Sequence, residues 1–196
     1  MLDLNTPINS VPVVALDVET TGLNAYSGDR IIEIGVMRVD PDGERIAFDS
    51  LVNPGRPIDK GASNVNGIWD ADVATAPTFG EIGSQVSKLL TDAVLVAHNA
   101  PFDLSFISTE FMTAKMSPPE SPVVDTLALV RNFYHFRSNK LGNVAREMRV
   151  PASGLHRAAV DAEVTYEIIK CMERKLKRTE KLRSVQDFIH AQEDDF

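Results

Sequence analysis

The apolar positions of this chain mark out a sheet first and helices second. Val13-Val14-Ala15-Leu16 has no polar member, so Val13 to Val18 reads as a strand buried on both faces. Arg30 to Val39 reads as a second strand, with Ile32, Ile34 and Val36 on one face and Ile31, Glu33, Gly35 and Met37 on the other. Pro41-Asp42-Gly43 is a turn between two strand-like runs, which makes Arg45 to Val52 a hairpin partner. Ala93 to Ala97 and the short Val123-Val124 complete the apolar strands.

The helical period takes over downstream. Thr78 stands three residues before Glu81, a capping-box spacing, and Ile82, Val86, Leu89 and Leu90 follow on one face. Pro101 suits the first turn of a helix carrying Phe102, Leu104, Phe106, Ile107 and Phe111. Shorter helices are expected at Thr126 to Phe133, at Leu141 to Met148 and near Val65 to Ala71. The longest runs from about Arg157 to Lys177, with Val160, Val164, Ile168, Met172 and Leu176 stacked at i+4 intervals. Three strands in a meander, then strands alternating with helices, predict an α/β fold with a mixed sheet covered by helices. Residues 1–11 and 179–196 read as tails around one domain at 12–178.

Composition narrows the class. A chain of 196 residues with 43% hydrophobic content suits one domain with a real core. The single cysteine, Cys171, forbids an internal disulfide and fits a reducing cytoplasm. Met1 to Pro12 has no basic residue or long apolar run, so no signal peptide is expected, and no stretch approaches the roughly 18 apolar residues of a membrane helix. The net charge of −8 argues against a non-specific nucleic-acid coat, but not against an enzyme that holds a few phosphates beside metal ions.

Charge placement carries the chemistry. Asp17 and Glu19 share a face at the end of the first strand, where Gly22 permits a tight turn away. Two carboxylates that close either share a proton or hold a cation. Asp103 follows the fourth strand and Asp161 lies early in the last long helix, while Asp125 reads more simply as a helix N-cap. Taken singly, Asp103 is explained by the helix dipole and Asp161 by a solvated face. Taken together, Asp17, Glu19, Asp103 and Asp161 fall at strand ends and helix beginnings, which collect at one edge of such a sheet. Oxygen-only ligands select Mg²⁺ or Mn²⁺, and four carboxylates exceed what one Mg²⁺ uses, so a pair of ions about 3.5–4 Å apart is expected. His156, five residues before Asp161, is then placed for general-base work.

Asp17-x-Glu19-Thr-Thr-Gly, His98-Asn-Ala-Pro-Phe-Asp103, Asp125-Thr-Leu and His156-Arg-Ala-x-x-Asp161-Ala resemble, in order and spacing, the motifs of the DEDDh 3′–5′ exonucleases. More narrowly they resemble the proofreading epsilon subunit of bacterial DNA polymerase III, over about Val11 to Lys175. The resemblance implies a ribonuclease-H-like fold, a five-stranded mixed sheet flanked by helices. It implies release of nucleoside 5′-monophosphates from single-stranded 3′ ends, of DNA before RNA, with proofreading in DNA replication and a polymerase subunit as one expected partner. By position it implies Asp17, Glu19, Asp103 and Asp161 as ligands of two divalent ions and His156 as general base. It places Thr20 and Leu23 against the terminal nucleotide and Asn99 and Phe102 along the cleft.

The chain departs from the family at Asn66-Gly67-Ile68, where many relatives have His-Gly-Ile, which puts that loop's substrate contacts in question. Glu33 resembles a strand residue that is not a ligand, His98 reads as structural and Trp69 as packing. Arg174, Lys175, Lys177, Arg178, Lys181 and Arg183 make a basic run before the acidic Glu193, Asp194 and Asp195, read as a solvated helix end and a frayed tail. RNA trimming remains open, because sugar discrimination rests on contacts to the 2′-OH that no motif reports. So do hydrolysis of small nucleotides, which a capped cleft would favour, and a docking module without turnover, which a missing ligand would favour.

Overall fold

The computed structural model describes residues 2–178 and 182–193. Five strands, β1 (Val13–Thr20), β2 (Ile31–Val39), β3 (Arg45–Leu51), β4 (Val94–Ala97) and β5 (Val123–Asp125), form one mixed sheet in the order β3-β2-β1-β4-β5. The β1/β2 and β2/β3 pairs are antiparallel; β1/β4 and β4/β5 are parallel. The expected five-stranded mixed sheet is present, with β1 at its centre.

Alternation along β1 divides the core into two layers. Val14, Leu16 and Val18 face one side, with Ile82, Val86 and Leu90 of α3 (Phe79–Leu90) and Phe106, Ile107 and Phe111 of α4 (Ala100–Thr113). Phe79 and Phe111 meet edge to face there, 5.1 Å between ring centres. Val13 and the strand residues Val94, Val96 and Val124 face the other layer. That layer is built by α5 (Thr126–Phe133), α6 (Leu141–Met148), α7 (Ala158–Arg178) and α8 (Val185–Glu193). Ile168 and Met172 of α7 are fully buried in it, each stabilising the fold by about 2 kcal/mol. Thr78 and Glu81 close the expected capping box, with Thr78 N–H donating to Glu81 Oε2 at 2.7 Å.

Three expectations are corrected. The short helix expected near Val65 to Ala71 is two helices, α1 (Lys60–Asn66) and α2 (Asp70–Val73). Gly67, at φ +73°, ends the first in a left-handed cap. The segment read as an N-terminal tail carries a 3₁₀ turn at Ile8–Ser10 and buries Ile8 and Val11. The segment read as a C-terminal tail contains α8, which buries Val185, Phe188 and Ala191. The two segments meet, with Val185 N–H donating to Thr6 O at 3.0 Å and Gln186 N–H to Leu4 O at 2.8 Å. Gln192 of α8 bonds Asp125 N–H and Val123 O, so this helix covers the open edge of β5. The apolar period of α8 is only three residues long and stands among charges, too short to outweigh them in a reading of pattern. Lys181, Asp194 and Asp195 lie outside the described residues. Among the described residues no helix is long and apolar enough to cross a membrane.

Candidate active site

The site forms where β1 outruns its parallel neighbour. The β1/β4 ladder covers only Val13 to Ala15. Further along β1, Val18 N–H donates to Asp103 Oδ1 at 3.1 Å, so a side chain from α4 takes over a bond that β4 has stopped supplying. Asp103 reaches that point because Asn99, at φ +82°, turns the chain sharply into α4. Asp17 and Glu19 project on the opposite face, toward α7. Asp161, in the first turn of α7, meets them there. His156 precedes that helix at φ +71°, a left-handed conformation uncommon outside glycine. Its backbone N–H donates to Asp161 Oδ2 at 3.3 Å.

Glu19, His156 and Asp161 each offer a ligand atom, all within 4.8 Å of one another. Asp161 Oδ1 is buried with no hydrogen-bond partner among the described residues. Burial, then the charges of Asp103, Asp161 and Glu19, hold the Asp17 carboxyl well above the ordinary carboxylate range. Burial, then Asp161 and Glu33, push Glu19 up to about 7. Burial pushes Asp103 up to about 8. Burial also raises Asp161, opposed by the His156 backbone bond. Four acids crowded into one place raise one another, and a cation there would relieve all of them. Oxygen donors with one imidazole, together with an orphaned carboxylate oxygen, suit a divalent cation.

A cleft of about 600 Å³ opens beside this cluster. Thr20, Leu23 and Phe102 line it, and Leu23 is 85% exposed at its rim. Thr20 Oγ1 is committed to Gly22 O at 2.6 Å, which braces the turn that presents Leu23. Asn99, expected along the cleft, is the cap of α4, and its N–H donates to Asp125 Oδ1 at 3.0 Å. Asp125 also caps α5 through Leu127 N–H, as expected. His98 is structural, with Nδ1 on Thr126 Oγ1 and Nε2 on Asn139 O.

Two further residues stand at the site, neither of them a ligand named from the sequence. Asn66 lines the cleft beside Glu19 and opposes the rise of its carboxyl. Asn66 Oδ1 accepts from Ile68 N–H at 2.9 Å, and that fixes the amide. Glu33 is 1% exposed and faces the same cluster. A carboxylate in the middle of the apolar run Ile31-Ile32-Glu33-Ile34 was the available signal.

A family model described as exonuclease matches residues 14–169. A DNA polymerase III subunit epsilon-like protein of Rhodobacter capsulatus is 46% identical over 128 residues, 63% of this chain and 18% of that protein. The DNA polymerase III subunit epsilon of Treponema pallidum is 38% identical over 165 residues, 83% of this chain and 76% of that protein. In fold, the chain is similar to Escherichia coli exonuclease I solved with a dT13 oligonucleotide, at a TM-score of 0.76 and 17% identity. That likeness covers 87% of this chain and 42% of the other. With most of its length matched by the family model, this chain belongs to the exonuclease family, as an epsilon-like member of the DEDDh type.

Proposed function

We propose that the chain removes nucleotides one at a time from single-stranded DNA 3′ ends by metal-dependent hydrolysis, releasing nucleoside 5′-monophosphates. The observation that carries this is the convergence of Asp17, Glu19, Asp103 and Asp161 beside His156 at the edge of a cleft. Asp17, Glu19, Asp103 and Asp161 would hold two divalent ions, Mg²⁺ or Mn²⁺. Such ions would supply an activated water and stabilise the leaving oxygen. His156, exposed on its strained turn, takes the proton of the attacking water. Leu23 and Phe102 offer apolar surface to the terminal base and sugar, and the Thr20 backbone lines the floor. DNA is favoured over RNA by the likeness to polymerase III subunits and to a nuclease solved with a DNA oligonucleotide. The same likeness supports proofreading beside a polymerase subunit.

The test is a degradation assay on 5′-labelled single-stranded DNA, single-stranded RNA and a 3′-mismatched primer–template, with Mg²⁺, Mn²⁺ or chelator. A metal-dependent ladder shortening from the 3′ end of DNA is the expected result. A ladder on RNA alone would move the reading to RNA trimming, and release on neither would refute it.

A further inference from the structure

We propose that Glu33, with Gly35 beside it, is a positioning residue that seats the N-terminus of α7 and so sets where His156 and Asp161 stand. This rests on the reading of those two residues as site residues.

Glu33 is an expensive side chain for its place. It is 1% exposed on a strand next to the sheet centre, and in the β1/β2 ladder it lies directly opposite Glu19. Like charges directly opposite one another destabilise a sheet. A leucine would fill the position at no such cost.

The carboxylate is not free to bind a metal, because both oxygens are engaged. Oε1 accepts from the Arg157 guanidinium, with Nε at 2.9 Å. Oε2 accepts from Ala158 N–H at 2.9 Å. Ala158 is the first residue of α7, so Glu33 satisfies one of the orphan donors at that helix start from a different element of the fold. Two residues along, Gly35 leaves the strand backbone bare. A Cβ there would overlap the backbone of Ala158 and Ala159. The ladder places Gly35 opposite Asp17 and Glu33 opposite Glu19. The strand pair that carries the first two carboxylates therefore also holds the helix that carries the fourth.

Arg157 has a second effect. Its side chain is 52% exposed, so the ion pair itself adds little stability. The contact instead clamps the residue next to His156, whose left-handed backbone has no glycine to make it easy. With the seat removed, the turn at residues 154–157 is free to relax, and the imidazole loses its fixed place.

The experiment compares wild type with Glu33→Ala, Glu33→Gln and Arg157→Gln. Turnover is measured on a single-stranded DNA oligonucleotide with Mn²⁺. Amide hydrogen exchange at residues 158–162 is followed in the chelated protein. Glutamine keeps an acceptor for Ala158 N–H; alanine does not. Expected are a kcat at least tenfold lower for Glu33→Ala with KM within about twofold, and at least tenfold faster exchange at the start of α7. Glu33→Gln should recover most of both, and Arg157→Gln should lower kcat with less effect on exchange. If Glu33→Ala does not fold, the glutamine and Arg157 variants still decide. Protected amides with kcat within twofold of wild type in the folded variants would overturn the proposal. So would equal loss in the alanine and glutamine variants. An inactive wild type would refute the proposed function instead, and the exchange readout would still test the seat.

Discussion

Replacing Glu19 with glutamine should stabilise the metal-free protein by an amount that grows as pH rises from about 4.5 to about 7. Glutamine copies the shape of a protonated glutamate. The Glu19 carboxyl rises from 4.5 to about 7 on folding, first through burial and then through Asp161 and Glu33. A raised carboxyl means that the folded state binds the proton more tightly than the unfolded one. The stability that this proton contributes is complete below about 4.5 and is lost as pH rises through about 7. At pH 8 the folded protein must hold an unwanted anion. A shift of about 2.5 units then corresponds to roughly 3 kcal/mol. In a chain of this size that is roughly 6–12 °C in Tm. Thermal unfolding with a chelator at pH 4, 5.5 and 8 reads the effect. The gap between Glu19→Gln and wild type should be near zero at pH 4, intermediate at pH 5.5 and largest at pH 8. Adding Mn²⁺ at pH 8 should raise the wild-type Tm and leave the variant nearly unmoved. A gap equal at all three pH values, or a variant less stable than wild type at pH 8, would refute the crowded-anion account.

Other expectations follow from the same geometry. Asp17→Asn and Asp161→Asn should abolish 3′-end hydrolysis while the circular dichroism spectrum is kept; retained activity in either variant would remove that residue from the site. His156→Ala should keep the Mn²⁺-induced Tm rise and lose about 10²–10⁴-fold in kcat, as removal of a general base does; calorimetric Mn²⁺ titration with single-turnover kinetics separates the two. Gly35→Ala should cost at least about 1–3 kcal/mol in urea unfolding, because the added methyl meets helix backbone that has nowhere to go. Arg30→Met should cost about 3 kcal/mol by the same measurement. It leaves Glu110, 2% exposed, buried without the guanidinium now 2.7 Å from each of its oxygens.

Much of the fold was legible because its signals are local. The capping box at Thr78 and Glu81, the i+4 stripe of α7 and the apolar runs of β1 and β4 each depend on residues a few positions apart. The ends of the chain were illegible for the opposite reason. Ile8, Val11, Val185 and Phe188 are too few and too scattered to announce an element, and they are ordered by each other and by α5. Gly67 was visible as a residue that favours turns. That it would split a helix depended on Asn66 bonding Ile68 N–H and facing Glu19.

The site shows the same division. Residue types and spacing determined that four carboxylates and a histidine exist at strand ends and helix starts, because chemistry of that kind resides in the side chains themselves. Only the tertiary structure decided which carboxylates share one field. It made Asp103 the partner of Val18 N–H 85 positions away, and put Asn99 in a left-handed turn that caps α4. It also set Glu33 against the start of α7, where it accepts from Ala158 N–H 125 positions away. The physical reason is range. Hydrogen-bond satisfaction and desolvation act between whatever groups the fold brings together, and the spacing of residues along a chain does not record that.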